Sequence, residues 1–137
     1  MWLALALAVA LYRRSARPFV LVLLADAAAY GLSEAVKGIV GERRPHGYDP
    51  LVSLPHSSSF PSGHATMSFA CATVLSALVP RASPAFVALA AAIAYSRLYL
   101  GVHWPGDVVA GAALGIATAL LLLEATRQRS GGRRRRG

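Results

Sequence analysis

Four apolar stretches, near residues 18–38, 64–80, 84–101 and 105–125, occupy most of this 137-residue chain. Each is long enough, or nearly so, to cross a hydrocarbon core about 30 Å thick, which takes about 20 residues of helix. Lipid offers no water to satisfy stray backbone amides, so such stretches must close their hydrogen bonds within helices. The opening stretch, residues 2–12, reaches only about 16 Å at the helical rise and is read as a partial span. The expected fold class is therefore all-α: an integral membrane bundle of four to five transmembrane helices.

Composition agrees, since 55% hydrophobic residues and a mean hydropathy of +0.50 exceed what a soluble domain of this size carries. One domain is expected over residues 1–126, followed by a basic, disordered tail over 127–137. The formal charge of +8 raises nucleic acid as a partner. The cations, however, flank apolar segments or crowd the tail, without the aromatic interleaving of a soluble nucleic-acid module, so no nucleic-acid partner is expected. Cys71 is the single cysteine, without a neighbour for a disulfide or a zinc site, and reads as a small buried hydrophobe. The apolar residues at the start precede Arg13 and Arg14, the reverse of the order in a secretory signal, so no cleaved leader is expected.

Proline and glycine set the segment ends. Pro18, Pro84 and Pro105 sit where a first helical turn can begin, and Pro80 to Ser83 form a short turn between spans. Residues 41–63 carry four prolines, a Gly-Tyr-Asp-Pro turn and a serine run without an apolar period, which predicts a loop on the membrane surface. His46 and His56 lie in that loop, with solvent exposure expected for both. Gly111-x-x-x-Gly115 allows close helix contact, read as packing within the chain rather than as a dimer motif.

If the four long stretches alternate across the bilayer, Arg13, Arg14, Arg17, Arg81, Arg127, Arg129 and the arginines at 133–136 share one side. Basic residues in short loops mark the cytoplasmic side. Lys37, Arg43, Arg44 and Arg97 fall on the other side, together with Ser62, His64, His103 and Asp107. The expected arrangement is a multi-pass protein of the cell membrane, its site extracytoplasmic beneath the surface loop and its tail cytoplasmic.

The residues on the outer side fall into three groups. Lys37 and Arg44-Pro45 place a point charge at a helix end and a planar guanidinium fork in the adjoining loop, donors suited to a phosphate. Taken alone they read rather as a pair of snorkelling interfacial cations. Pro61-Ser62-Gly63-His64 opens an apolar helix, whose first N–H groups form a natural anion site. Ser62 can cap the helix and donate to an anion, Gly63 lets backbone approach it, and His64 stands at the rim as a possible acid.

Ser96-Arg97, then His103 and Asp107, form the third group. His103 and Asp107 are four apart across a helix start, so the carboxylate can hold one imidazole nitrogen and leave the other free to attack. Arg97 can stabilise a transferring phosphoryl group. The structural alternative is a His–Asp cap with Arg97 as an interfacial anchor. Trp104 is an ordinary interfacial tryptophan. Asp26, Tyr30, Ser33 or Glu34, and Lys37 recur at helical spacing as a polar stripe leading towards the site. Asp26 is read either as a functional intramembrane acid or as an interhelical hydrogen bonder, and Glu34 as a partner of Lys37.

The three groups, in this order, resemble the type 2 phosphatidic acid phosphatase superfamily, with its Lys-x6-Arg-Pro, Pro-Ser-Gly-His and Ser-Arg-x5-His-x3-Asp motifs matched from residue 37 to residue 107. The resemblance implies a phosphatase that uses no metal and no cofactor. It implies His103 as nucleophile forming a phosphohistidine, Asp107 as its orienting partner, and His64 as acid and then base. Lys37, Arg44, Ser62, Gly63 and Arg97 would hold the phosphoryl oxygens. Membrane members of the family commonly have six spans, so the missing length falls at the amino end.

The implied substrate is a membrane lipid phosphate or pyrophosphate: phosphatidic acid, phosphatidylglycerol phosphate, polyprenyl pyrophosphate or a polyprenyl-phosphoryl sugar phosphate. The Ala- and Arg-rich composition points to a GC-rich bacterial genome and favours an envelope polyprenyl carrier. Two alternatives are a vanadium-dependent haloperoxidase, whose relatives are soluble and much larger, and a non-catalytic protein that binds anions or lipids.

Overall fold

The computed structural model describes residues 1–45 and 57–134. Five helices follow one another: α1 (Trp2–Tyr12), α2 (Arg17–Val40), α3 (Gly63–Leu78), α4 (Ser83–Tyr99) and α5 (Pro105–Arg134), with a 3₁₀ turn at Pro80–Ala82 joining α3 to α4. No strand occurs among the described residues. The three prolines begin helices as expected, and Gly41 ends α2 in the left-handed conformation at φ 64°, its N–H donating to the Lys37 carbonyl. His46 and His56 lie outside the described residues.

Length separates the helices. α2 and the Pro105–Gln128 part of α5 each have 24 residues and mean hydropathies of 1.7 and 2.1, enough to cross a bilayer. α3 with 16 residues and α4 with 17 are shorter. α3 is the central element, packed against α2, α4 and α5. Its Ala65, Ala70, Cys71, Ala72, Val74 and Leu75 are buried, while Val20, Leu23 and Leu24 of α2, Val87 of α4, and Leu120 and Leu121 of α5 point outward, as lipid-facing side chains do. α5 continues to Arg134, so the boundary drawn at residue 126 does not coincide with a helix end.

Small residues bring α5 onto α3, where lipid supplies no hydrophobic drive and close contact must do the work. A Cβ at Gly111 would lie 2.6 Å from the Ser62 carbonyl oxygen, and one at Gly115 would collide with the Thr66 carbonyl. The Gly-x-x-x-Gly spacing is thus used within the chain. At the other end of α3, Arg13 Nη2 donates to the Leu78 carbonyl at 2.6 Å, satisfying an orphan acceptor of the last turn. Trp2 Nε1 donates to Ser68 Oγ at 3.2 Å. The arginine that follows α1 and the Ser-Gly-His start of α3 therefore sit at opposite ends of α3.

Candidate active site

α5 begins with its own lid. Asp107, in the first turn, turns its carboxylate back so that Oδ2 accepts the Trp104 backbone N–H at 2.8 Å, as the acid of a capping box does. The same oxygen lies 3.2 Å from Nδ1 of His103 and accepts a short hydrogen bond from Ser59 Oγ. With Nδ1 held by the carboxylate, the lone pair on the far ring nitrogen is the one available for attack. Asp107 is buried behind His103, which is also buried. Burial pushes the imidazole below the ordinary histidine range near 6.5, against the opposing pull of Asp107, so the ring is neutral near pH 7.

α3 begins without such a lid. Ser62 stands at its N-cap position, yet its side chain makes no capping bond and its buried hydroxyl has no partner among the described residues. The expected side-chain cap is thus not formed. Ser62 instead uses its backbone, the N–H donating to the Asp107 carbonyl at 3.0 Å. This ties the Pro-Ser-Gly-His segment to the start of α5. Space at Gly63 is tight: a Cβ there would lie 3.3 Å from Ser33 Oγ and 3.4 Å from Lys37 Nζ, so those side chains would have to give slightly.

A cavity of about 400 Å³ opens over this helix start. Its walls bring together Lys37 of α2, Arg44 of the loop, Gly63 and His64 of α3, Arg97 of α4 and His103 before α5. The Ser62 side chain and Asp107 are not on the wall; the one is buried at the helix start and the other stands behind the histidine. Tyr30 and Glu34 of the polar stripe also line the cavity, as do Ser57, Met67 and Val102, which the sequence did not single out. Asp26 lies deeper, in contact with Cys71, and lines a neighbouring cavity that shares His64 and Met67 with the first.

Each cation is held from behind. Glu34 Oε1 accepts from Lys37 Nζ at 2.6 Å. Arg97 donates from Nε and Nη2 to Ser96 Oγ, whose own proton goes to the Ile93 carbonyl, which explains the serine before the arginine. Arg44 donates to the carbonyls of Val102 at 2.7 Å and Ser57 at 3.1 Å, so it fastens two loops together as well as facing the cavity. Trp104 does more than mark an interface, since its Nε1 donates to the Arg43 carbonyl. Ser59 was missed by sequence reading. Its only signal was its place at the end of a serine run, because its partner is 48 positions away. Among the described residues no group of three His, Cys, Asp or Glu side chains gathers as a metal site.

A tetrahedral dianion placed here meets three cations, one open helix start and two imidazoles, one of them backed by a carboxylate. The pattern of the PAP2 superfamily matches residues 1–130. The chain is 37% identical to a lipid A 1-phosphatase of Rhizobium johnstonii, over 66% of its own length and 40% of that protein's. It is 36% identical to a decaprenylphosphoryl-5-phosphoribose phosphatase of Mycobacterium tuberculosis, over 98% of its own length and 74% of that protein's. A transmembrane PAP2-type phosphatidylglycerolphosphate phosphatase from Bacillus subtilis has a similar structure, with a TM-score of 0.72 at 27% identity, covering 93% of this chain and 67% of that one.

Proposed function

The chain belongs to the PAP2 superfamily, and from that premise we propose that it is a metal-independent membrane phosphatase removing the terminal phosphate of a lipid phosphate or pyrophosphate. The observation that carries this reading is the convergence of Lys37, Arg44, Arg97, His64 and His103 on one cavity at the start of α3, with His103 backed by Asp107.

In the first step the free nitrogen of His103 attacks the terminal phosphorus, and the bond from phosphorus to the lipid oxygen breaks. His64 gives its proton to that oxygen, and a phosphohistidine is formed. In the second step His64 takes a proton from water, the water oxygen attacks phosphorus, the P–N bond breaks and inorganic phosphate leaves. Lys37, Arg44, Arg97 and the first N–H groups of α3, including that of Gly63, hold the phosphoryl oxygens. The unpartnered Ser62 hydroxyl lies at the same helix start but off the cavity wall, and a rotation toward the docked anion would give it the acceptor it lacks.

The cavity sits at the end of α3 opposite the Arg13 contact, which supports an extracytoplasmic site and a cytoplasmic basic segment after residue 126. A polyprenyl-phosphoryl sugar phosphate or polyprenyl pyrophosphate of the cell envelope is the favoured substrate class. Support comes from the Mycobacterium relative, which is named for a decaprenylphosphoryl-5-phosphoribose substrate.

The test is a phosphate-release panel in EDTA with phosphatidic acid, phosphatidylglycerol phosphate, a polyprenyl pyrophosphate and a polyprenyl-phosphoryl sugar phosphate. Release from at least one lipid, abolished in His103→Ala and His64→Ala, is expected. No release from any lipid would favour an anion-binding protein without turnover. Label from ³²P-substrate should stay on His103 when His64 is replaced and the quench avoids acid; intact turnover with no label would instead mean direct attack by water.

A further inference from the structure

We infer that Ser59 is a positioning residue for the His103–Asp107 pair: its hydroxyl fixes the carboxylate so that Oδ2 faces Nδ1 of His103. This rests on the reading of His103 as nucleophile given above.

Three donors meet one oxygen. Oδ2 of Asp107 receives the Ser59 hydroxyl, the Trp104 N–H at 2.8 Å and the His103 Nδ1 at 3.2 Å. The last torsion of an aspartate is broad rather than staggered, so the carboxylate turns easily unless it is held. Trp104 cannot hold it alone, because it belongs to the same helix start and is served equally well by a carboxylate that has turned away from the imidazole. Among the described residues, Ser59 is the one donor to that oxygen that comes from elsewhere in the chain. It is fully buried, and its own N–H is fixed to the Glu42 carbonyl at 2.9 Å, on the segment that carries Arg44. The hydroxyl thereby sets the carboxylate relative to the cation loop as well as to the helix.

The hydroxyl has a second effect. By donating to Oδ2 it takes up part of the carboxylate's charge, so less is left to attract a proton onto His103. The other charged or titratable groups near this ring are Arg44 from the loop after α2 and, across the cavity, Lys37 of α2, His64 of α3 and Arg97 of α4. None of these is altered by a change at Ser59.

The experiment uses the full chain in detergent micelles, with phosphatidic acid as probe and inorganic phosphate as readout. Ser59→Ala is expected to lower kcat about tenfold, the scale seen when an outer partner of a positioned histidine is removed. KM should stay within twofold, and the acid limb of kcat/KM should move to higher pH. Ser59→Thr keeps a hydroxyl and should restore both. Ser59→Cys, nearly the same size with a weaker donor, should fall between and serves if either of the others does not fold. On the Asp107→Asn background, Ser59→Ala should cost less than a further twofold, because the two act through one oxygen. A folded Ser59→Ala or Ser59→Cys enzyme with unchanged kcat and an unmoved acid limb would overturn the inference, as would losses that multiply with those of Asp107→Asn. Full turnover in Asp107→Asn or His103→Ala would defeat the underlying reading instead, a result separable from failure at Ser59 alone.

Discussion

Two helix starts stand side by side and are finished in opposite ways. α5 is closed by its own Asp107, whose carboxylate takes the Trp104 N–H and brings a negative charge of the chain's own to that helix start. α3 is left open: Ser62 occupies the cap position without capping, and the first turn faces a cavity lined by cations. A helix N-terminus attracts negative charge in either case. Where the chain supplies that charge itself, the result is a fixed carboxylate that can steer a histidine; where it withholds it, the result is a seat for a ligand. On the proposed mechanism, the contrast would give one start to the nucleophile and the other to the phosphate.

Replacing the built-in anion should produce the largest effect. Asp107→Asn removes the charge from the closed start, and we expect kcat to fall on the order of 10³-fold with KM little changed, since an amide can hold the wrong tautomer of the ring. Steady-state kinetics checks this, and a loss below tenfold would mean that the closed start serves structure alone. Pushing the two starts apart comes next. Gly111→Ala sets a methyl against the Ser62 carbonyl, and overpacking of this kind costs about 1–3 kcal/mol. It should appear as a lower Tm together with reduced turnover; an unchanged Tm would show that the seam has slack.

The open start is probed by Ser62→Ala. Because no side-chain cap bond is lost, thermal stability should not show the drop of about 1 kcal/mol typical of cap removal. KM should nevertheless rise about tenfold, the size of one lost hydrogen bond to a charged ligand. The reverse result, a lower Tm with unchanged KM, would make α3 an ordinary capped helix. The smallest effect concerns pH. His103 must be neutral to attack, and its pKa is lowered by burial, so the acid limb of kcat/KM should lie below the ordinary histidine value of 6.5. His64, whose pKa burial and the cations Arg97, Lys37 and Arg44 also lower, must carry a proton, so kcat/KM should fall again as pH rises through the His64 pKa. In Asp107→Asn the pull that raises the His103 pKa is gone, and the acid limb in the residual activity should move lower still. A wild-type acid limb above 6.5 would mean that the carboxylate outweighs burial.

Much of this arrangement was legible in the sequence because its signals are local. Pro18, Pro84 and Pro105 mark helix starts within a residue, since proline fits only the first turn, and the four-residue step from His103 to Asp107 is the geometry of a helix start. Grouping Lys37, Arg44, His64, Arg97 and His103 on one side required only counting spans. The contacts that finish the site were not legible because they join distant positions without a period. Ser59 meets Asp107 across 48 positions, and Arg44 reaches Val102 across 58. The missing cap at Ser62 also could not be read, since serine in that position caps by default and only the crowding by α5 and the tie to Asp107 show that its hydroxyl is left over. Likewise, the glycines and arginines after residue 126 suit a tail, but α5 continues through them to Arg134.

The contact at Gly111 and Gly115 works like a zero-clearance fit between two machined parts. Side chains such as Leu23, Val87 and Leu121 are exposed on the outer surface and can be exchanged for others of similar oiliness with little consequence. The gap between the two helix starts depends instead on a pair of hydrogen atoms, so wear on the bundle's exterior leaves the seating of α5 on α3 untouched.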